Sequence, residues 1–426
     1  MKAAISRGKP PRPSRISRVF VNLASFPVRS AAIRCLAAGL VVMLAACRLN
    51  DDPAPVTPVE TAIDTIGGVE YLRNTGTPPT WRIETRLTLG SAGAIGEPAP
   101  DEFGRVSSAI TGPNNRVYVA DALNDEIKVF DPNGALAFRF GRDGEGPGEF
   151  GTIYSLAWLG DTLLALDFQV GRIGLFSADG EWIGQRRHPG SISGSPAFLR
   201  FFQTDQREAW AFSLSTSPDR SRVFVRHTPN GVSDTLRLLS ADDPTSSVII
   251  CDHPNGSISF FNIPYASRLL QHPARNGLLA AVQTAEYRIA FLDATGDTVR
   301  VVERELEPVP TTSDGWDEGL EEYRTYRDEN PGASCEPGSV DRPSVQPPVR
   351  SLLLDPGGRL WTEVITVDGV FWEVFDPRGR LAGRVPAFSY GDRTAPYFSD
   401  RYVVAVHTDT LDTPSVTVYE VHTQPR

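Results

Sequence analysis

The chain has 426 residues, 40% of them hydrophobic, and carries 42 basic against 52 acidic side chains, a net charge of −10 at pH 7. So acidic a chain is repelled by nucleic-acid phosphates and by anionic lipid, which excludes nucleic acid as a partner. Its six histidines lack metal-ligand spacing and no G-x-S-x-G elbow occurs, so no catalytic residue, metal or cofactor is assigned.

Residues 1–34 hold eight basic side chains, Lys2, Lys9 and six arginines, and no acidic one. The apolar run Cys35–Ala46 follows and ends in Leu44-Ala45-Ala46-Cys47. A membrane-spanning helix needs about 20 apolar residues, and Arg34 limits this run to a dozen. The pattern is that of a secretory signal, residues 1–46. The L-A-A-C ending resembles a lipobox, which implies cleavage before Cys47 and lipidation of its thiol. Removing the signal leaves 34 basic residues (42 − 8) against 52 acidic ones, a charge of −18. Arg48 after the cysteine, with no aspartate beside it, favours the outer membrane by analogy with lipoprotein sorting.

Residues 47–80, rich in proline, aspartate and threonine, read as a flexible tether, with Gly67–Leu72 a short apolar segment able to dock. Trp81–Leu89 then alternates as a strand with no partner nearby in sequence.

The next stretch sets the architecture. Val117, Val119 and Asp121 alternate with Tyr118 and Ala120, Ile127–Phe130 forms a second run, and Leu136, Phe138 and Phe140 a third. Asp131-Pro132-Asn133-Gly134 is a turn between them. A shift of 46 residues lays Asp121 on Asp167, Phe130 on Phe176 and Gly134 on Gly180. Glu102-Phe103-Gly104 and Glu149-Phe150-Gly151 open the two copies. The strands Val106–Ile110 and Ile153–Trp158 complete four strands in about 45 residues, the spacing of a propeller blade. Fainter copies carry Phe224 with Gly231, Ile289 with Leu292 and Gly296, and Phe375 with Gly379. Tyr402–Thr408 and Val416–Val421 form a last, incomplete set. Because an open edge invites aggregation, Trp81–Leu89 is assigned as the outer strand of that last blade.

VYVAD at 117–121, I-x-x-F at 127–130 and G-x-G-P-G-E-F at 144–150 resemble the repeats of NHL-like six-bladed β-propellers. The later copies lack the aspartate, with Gln283 and Thr366 near its place. The resemblance implies an all-β fold: a six-bladed propeller of four-stranded antiparallel blades over 81–426, closed by an amino-terminal strand. It also implies a binding function rather than catalysis.

In a propeller the loops joining strands two and three share one face with the connections between blades. That face carries Asn124, Asp125, Arg142, Asp143, Glu145, Arg172, Arg187 and His188, the candidate binding surface. Asp121 and Asp167, by contrast, are read as hydrogen-bond partners of the blade junctions. Two connections are swollen: Ala241–Asn262, with a hairpin turning at Pro254-Asn255-Gly256, and 311–348, with one helix expected over Asp317–Asp328. With Cys35 in the signal and Cys47 lipidated, only Cys251 and Cys335 remain, one in each swollen loop. Outside the cytoplasm such a pair oxidises, so a Cys251–Cys335 disulfide is expected to pin the insertion as a lid over the channel mouth.

These features point to a monomeric, lipid-anchored binding or scaffold propeller on the periplasmic side of the envelope, at the outer membrane, with a protein or carbohydrate ligand on the loop face. The alternative is a metal-dependent hydrolase or lyase of the gluconolactonase type. That chemistry would need three or more Asp, Glu, Asn or His side chains converging on the axis.

Overall fold

Four-stranded antiparallel sheets recur along the chain, their middle strands buried on both faces, as in Val117–Asp121 and Thr162–Asp167, and an outermost strand such as Leu136–Phe140 alternating. The computed structural model describes residues 58–91, 99–190, 200–215, 221–239, 247–391 and 394–423. The signal sequence, Cys47 and the first part of the expected tether lie outside them, as do parts of the loops 186–195, 215–221 and 241–262.

Blade one consists of Val106–Thr111, Val117–Asp121, Glu126–Phe130 and Leu136–Phe140, from inner to outer strand. Blade two follows with Ile153–Leu159, Thr162–Asp167, Arg172–Phe176 and Trp182–Arg187, and blade three with Phe201–Asp205, Glu208–Leu214, Arg222–Thr228 and Gly231–Arg237. Blade four is Leu269–Ala274, Leu278–Gln283, Arg288–Leu292 and Thr298–Arg304. Blade five is Val349–Leu354, Leu360–Thr366, Gly369–Phe375 and Leu381–Pro386. Blade six takes Tyr397–Phe398, Tyr402–Thr408 and Pro414–His422 from the carboxyl terminus and Arg82–Leu89 from the amino-terminal side. The closing strand is thus where the alternation places it, running antiparallel with Leu87 opposite Val418 and Ile83 opposite Val421.

The core is divided among the blade interfaces. Tyr118, Phe150, Trp158 and Phe176 pack blade one on blade two, and Phe202, Phe224 and Leu279 pack blade three on blade four. Leu89, Phe130 and Val416 join blade six to blade one, so the ring closes through side chains as well as strands. Trp81 packs with Trp361, Trp372 and Phe398 between blades five and six, and its N–H donates to the Arg384 carbonyl at 2.7 Å.

One expectation is corrected: the flexible tether through Thr80. Glu60–Ile66 and Val69–Thr75 form a hairpin whose second strand runs parallel to Thr298–Arg304, extending blade four to six strands. Gly67 and Gly68 have φ of 60° and 88°, as a tight two-residue hairpin turn demands. Two side chains seat it. Leu72 is 1% exposed in the core between blades four and five. Buried Asn74 donates to the Gly379 carbonyl at 3.1 Å and accepts from the Leu381 N–H at 2.9 Å.

The insertion is also corrected in detail. In place of one helix over Asp317–Asp328 there are two, α1 (Ser313–Gly319) and α2 (Glu321–Glu329). The chain bends between them because Leu320 is buried and Gly319 sits so close to Pro264 that a Cβ would lie 2.6 Å from its ring.

Candidate functional site

The aspartates of the repeat hold the blade junctions. Asp121 accepts from the Gly104 and Arg105 N–H groups at 2.9 Å each. Asp167 accepts from Gly151 and Thr152 at 3.0 and 3.1 Å. In blade four Thr284 takes this place, its hydroxyl accepting from the Arg268 N–H at 2.8 Å. The hydroxyl accepts from one backbone N–H there, where each carboxylate accepts from two.

Several of the eight candidate face residues are tied to one another or to the blade junctions. Asn124 donates to Asp121 at 2.8 Å. Arg172 is a clamp: it donates to Asp167 and to the carbonyls of Glu145 and Glu149, fixing the glycine-rich connection to blade two. Gly144 in that connection has a φ of 143° and leaves no room for a Cβ against Glu149. Exposed Arg142 pairs with Glu149 at 2.7 Å and holds that carboxyl below its ordinary value. Burial, then the charges of Asp143 and Asp167, raise Asp125. Asp143 and Glu145 are exposed, and so is Arg187, paired in register with Arg172. His188 departs from the expectation of a loop-face residue. It is 2% exposed, its Nε2 meets the Phe212 carbonyl at 3.1 Å, and burial lowers it to about 4. Its ring lies 5.6 Å from that of His227, tilted by 31°.

The two swollen connections instead build one small module. Val248–Asp252 pairs with Ile258–Asn262 on one side and with Ser334–Glu336 on the other. The second pairing sets Cys251 opposite Cys335, and the expected disulfide joins them, with the Cα atoms 4.0 Å apart. Ile249, Cys251, Phe261, Leu320 and Tyr323 form the module's own core under α1 and α2. His253 Nε2 lies 3.1 Å from Asn330 Oδ1, tying the hairpin to the end of α2.

Between this module and blade four lies a cleft of ≈ 680 Å³. Its walls are apolar and rich in proline, with Ile263, Tyr265, Val340 and Val345 among them and Glu336 and Asp341 as carboxylates. The sequence marked both swollen connections but not the cleft, since its walls come from segments some 80 residues apart. Where inner strands of five blades meet lies a small cavity of ≈ 50 Å³ bordered by Leu156, Arg200, Gln203, His272, Leu354 and Tyr397, among others. Among the described residues no three His, Cys, Asp or Glu side chains are grouped to hold a metal ion.

Residues 102–271 match the family model DUF5128, described as a 6-bladed beta-propeller. No curated protein matches the sequence. Solved structures with a similar course include a member of the DUF4221 family from Bacteroides vulgatus, 10% identical over 81% of this chain and 99% of that one, with a TM-score of 0.43. An exported protein of Bacteroides fragilis is 12% identical over 80% and 95% of the two chains, with a TM-score of 0.41. Virginiamycin B lyase from Staphylococcus aureus is 9% identical over 80% and 99%, with a TM-score of 0.39. Nothing about this chain's chemistry follows from these three. The sheets themselves and the family match over residues 102–271 agree: the chain is a six-bladed β-propeller.

Proposed function

We propose that this propeller is a lipid-anchored binding module on the periplasmic side of the cell envelope, at the outer membrane. Its partner is a protein that seats an apolar segment in the cleft beside blade four. The observation that carries the reading is that cleft, ≈ 680 Å³ with apolar walls, held by a disulfide-pinned module with its own core. Preformed apolar concavities of several hundred Å³ are the usual form of a recognition site. Glu336 and Asp341 favour a partner segment that also carries a basic residue. The disulfide suits an oxidising compartment, and the lipobox-like L-A-A-C supplies the anchor at Cys47. The module acts as a lid on the loop face from the side of blade four.

A photoreactive residue at Val345, half-exposed in the cleft, tests this in intact cells. A discrete adduct is expected from Val345 and not from Asn133, which lies in a third-to-fourth-strand turn on the opposite face. It is expected to vanish in the Cys251→Ala/Cys335→Ala protein. Equal adducts from both positions would remove the cleft from the account. Cys47→Ser should release the protein from the membrane fraction; retention there would remove the anchor.

A further inference from the structure

Arg200 stands immediately before the inner strand of blade three and borders the axial cavity. Its guanidinium lies 4.5 Å from the Phe202 ring centroid. Its Nε is buried with no hydrogen-bond partner, and among the described residues no carboxylate pairs with it. Burial draws it down to about 10, so it remains charged at neutral pH. The residue as a whole is only half-buried, but arginine does not escape burial by losing its proton, and a buried guanidinium nitrogen without a partner is costly.

Tyr390 favours its charge, but among the described residues the other polar neighbours are already engaged. His272 uses both nitrogens, Nδ1 at 2.7 Å from the Pro273 carbonyl and Nε2 at 3.4 Å from the Leu354 N–H. Asp355, the buried acid between cavity-lining Leu354 and Pro356, is engaged by Arg359 at 2.6 Å and by the Trp361 indole N–H at 2.9 Å. Gln203 is engaged through Oε1, which accepts from the Trp158 N–H at 3.2 Å. Among the described residues the guanidinium thus has no carboxylate partner, and it borders a cavity of ≈ 50 Å³. A water needs roughly 10–15 Å³ of such space, so the cavity suits a chloride or a carboxylate with a water or two. A dianion would be larger and would leave its second charge unmatched.

We propose that Arg200 makes the central channel a binding site for a small monovalent anion, a halide or a carboxylate. This site is separate from the cleft beside blade four and stands or falls independently of it.

The test is thermal unfolding of the full-length mature protein at constant ionic strength, with the bulky sulfonate of MES exchanged for chloride, formate or acetate. A ligand that binds only the folded state raises the melting temperature with its concentration. The wild type should respond to the small anions and Arg200→Met should not. A half-saturating concentration at least ten-fold lower for formate than for chloride assigns a carboxylate; the reverse assigns a halide. Bromide-soaked crystals should show an anomalous peak within hydrogen-bonding reach of the Arg200 guanidinium. Equal responses in wild type and Arg200→Met would overturn the proposal, as would a flat wild-type response without a bromide peak. Should Arg200→Met not fold, Arg200→Lys is expected to respond at least ten-fold more weakly than wild type, and an unchanged response would count against the site.

Discussion

Removing the disulfide should open the module and leave the ring intact. Cys251 and Cys335 are 84 positions apart, a loop the chain-entropy model values at about 4–5 kcal/mol in the fully unfolded chain. With blade four still folded, only the two arms of the module are released, roughly 50 residues, and the same model gives about 4 kcal/mol. The module's core holds five buried residues, Ile249, Cys251, Phe261, Leu320 and Tyr323, against far larger clusters between the blades. A loss of that size should raise the open population of the module about a thousand-fold, since 1.4 kcal/mol is a factor of ten. Trypsin reports this at Arg324 and Arg327, both in α2. Where opening is fast relative to cleavage, the rate follows the open population. The Cys251→Ala/Cys335→Ala protein should be cut there hundreds of times faster than wild type, while its main thermal transition moves little. Cleavage rates within ten-fold of each other would refute the pinning. A single transition lowered together with cleavage would refute the module's independence.

Three further outcomes follow from the packing and the charges. Trp81→Ala removes a 6% exposed side chain from the interface of blades five and six; it should cost about 3–5 kcal/mol in a denaturant titration, and a wild-type midpoint would contradict the closure. Asn74→Ala leaves the Gly379 carbonyl and the Leu381 N–H without their partner, at about 1–3 kcal/mol each. Hydrogen exchange should then quicken in Val69–Thr75; unchanged protection would mean the hairpin is not seated there. Finally, burial holds His188, His227 and His272 at about 4, 3 and 3 against an ordinary 6.5. The unfolded chain binds more protons between those values, so this stability is complete above about pH 6.5 and is lost as the pH falls towards 4. Glu363 and Glu373, raised by burial, oppose the loss in part. Among the described residues His227 has no hydrogen-bond partner on either nitrogen, so His227→Leu should flatten the melting-temperature slope between pH 6.5 and 4. An unchanged slope would show that His227 does not carry it.

The sequence made some of this legible and hid the rest for identifiable reasons. Blades one and two are plain because Asp121 and Asp167 each bind two backbone donors, which constrains their identity. The closing strand is plain because Trp81–Leu89 alternates with no local partner. The disulfide is legible because Cys251 and Cys335 each fall in one of the two swollen connections. The amino-terminal hairpin was hidden because Leu72 and Asn74 are held by blades four and five rather than by local pairing. Gly67-Gly68 between two short runs is the local signal that marks it. His188 looks like a loop residue until the fold turns it inward. Arg200 carries no sequence signal at all: a lone arginine acquires meaning only when inner strands from five blades surround it.

The most direct test of the cleft is hydrogen–deuterium exchange on the purified protein with and without the partner recovered by the Val345 crosslink. The account predicts added protection at 263–267 and 337–347, the two walls of the cleft, and none in the 131–134 turn of the opposite face. Protection on that opposite face, with the cleft walls exchanging as in the free protein, would contradict it.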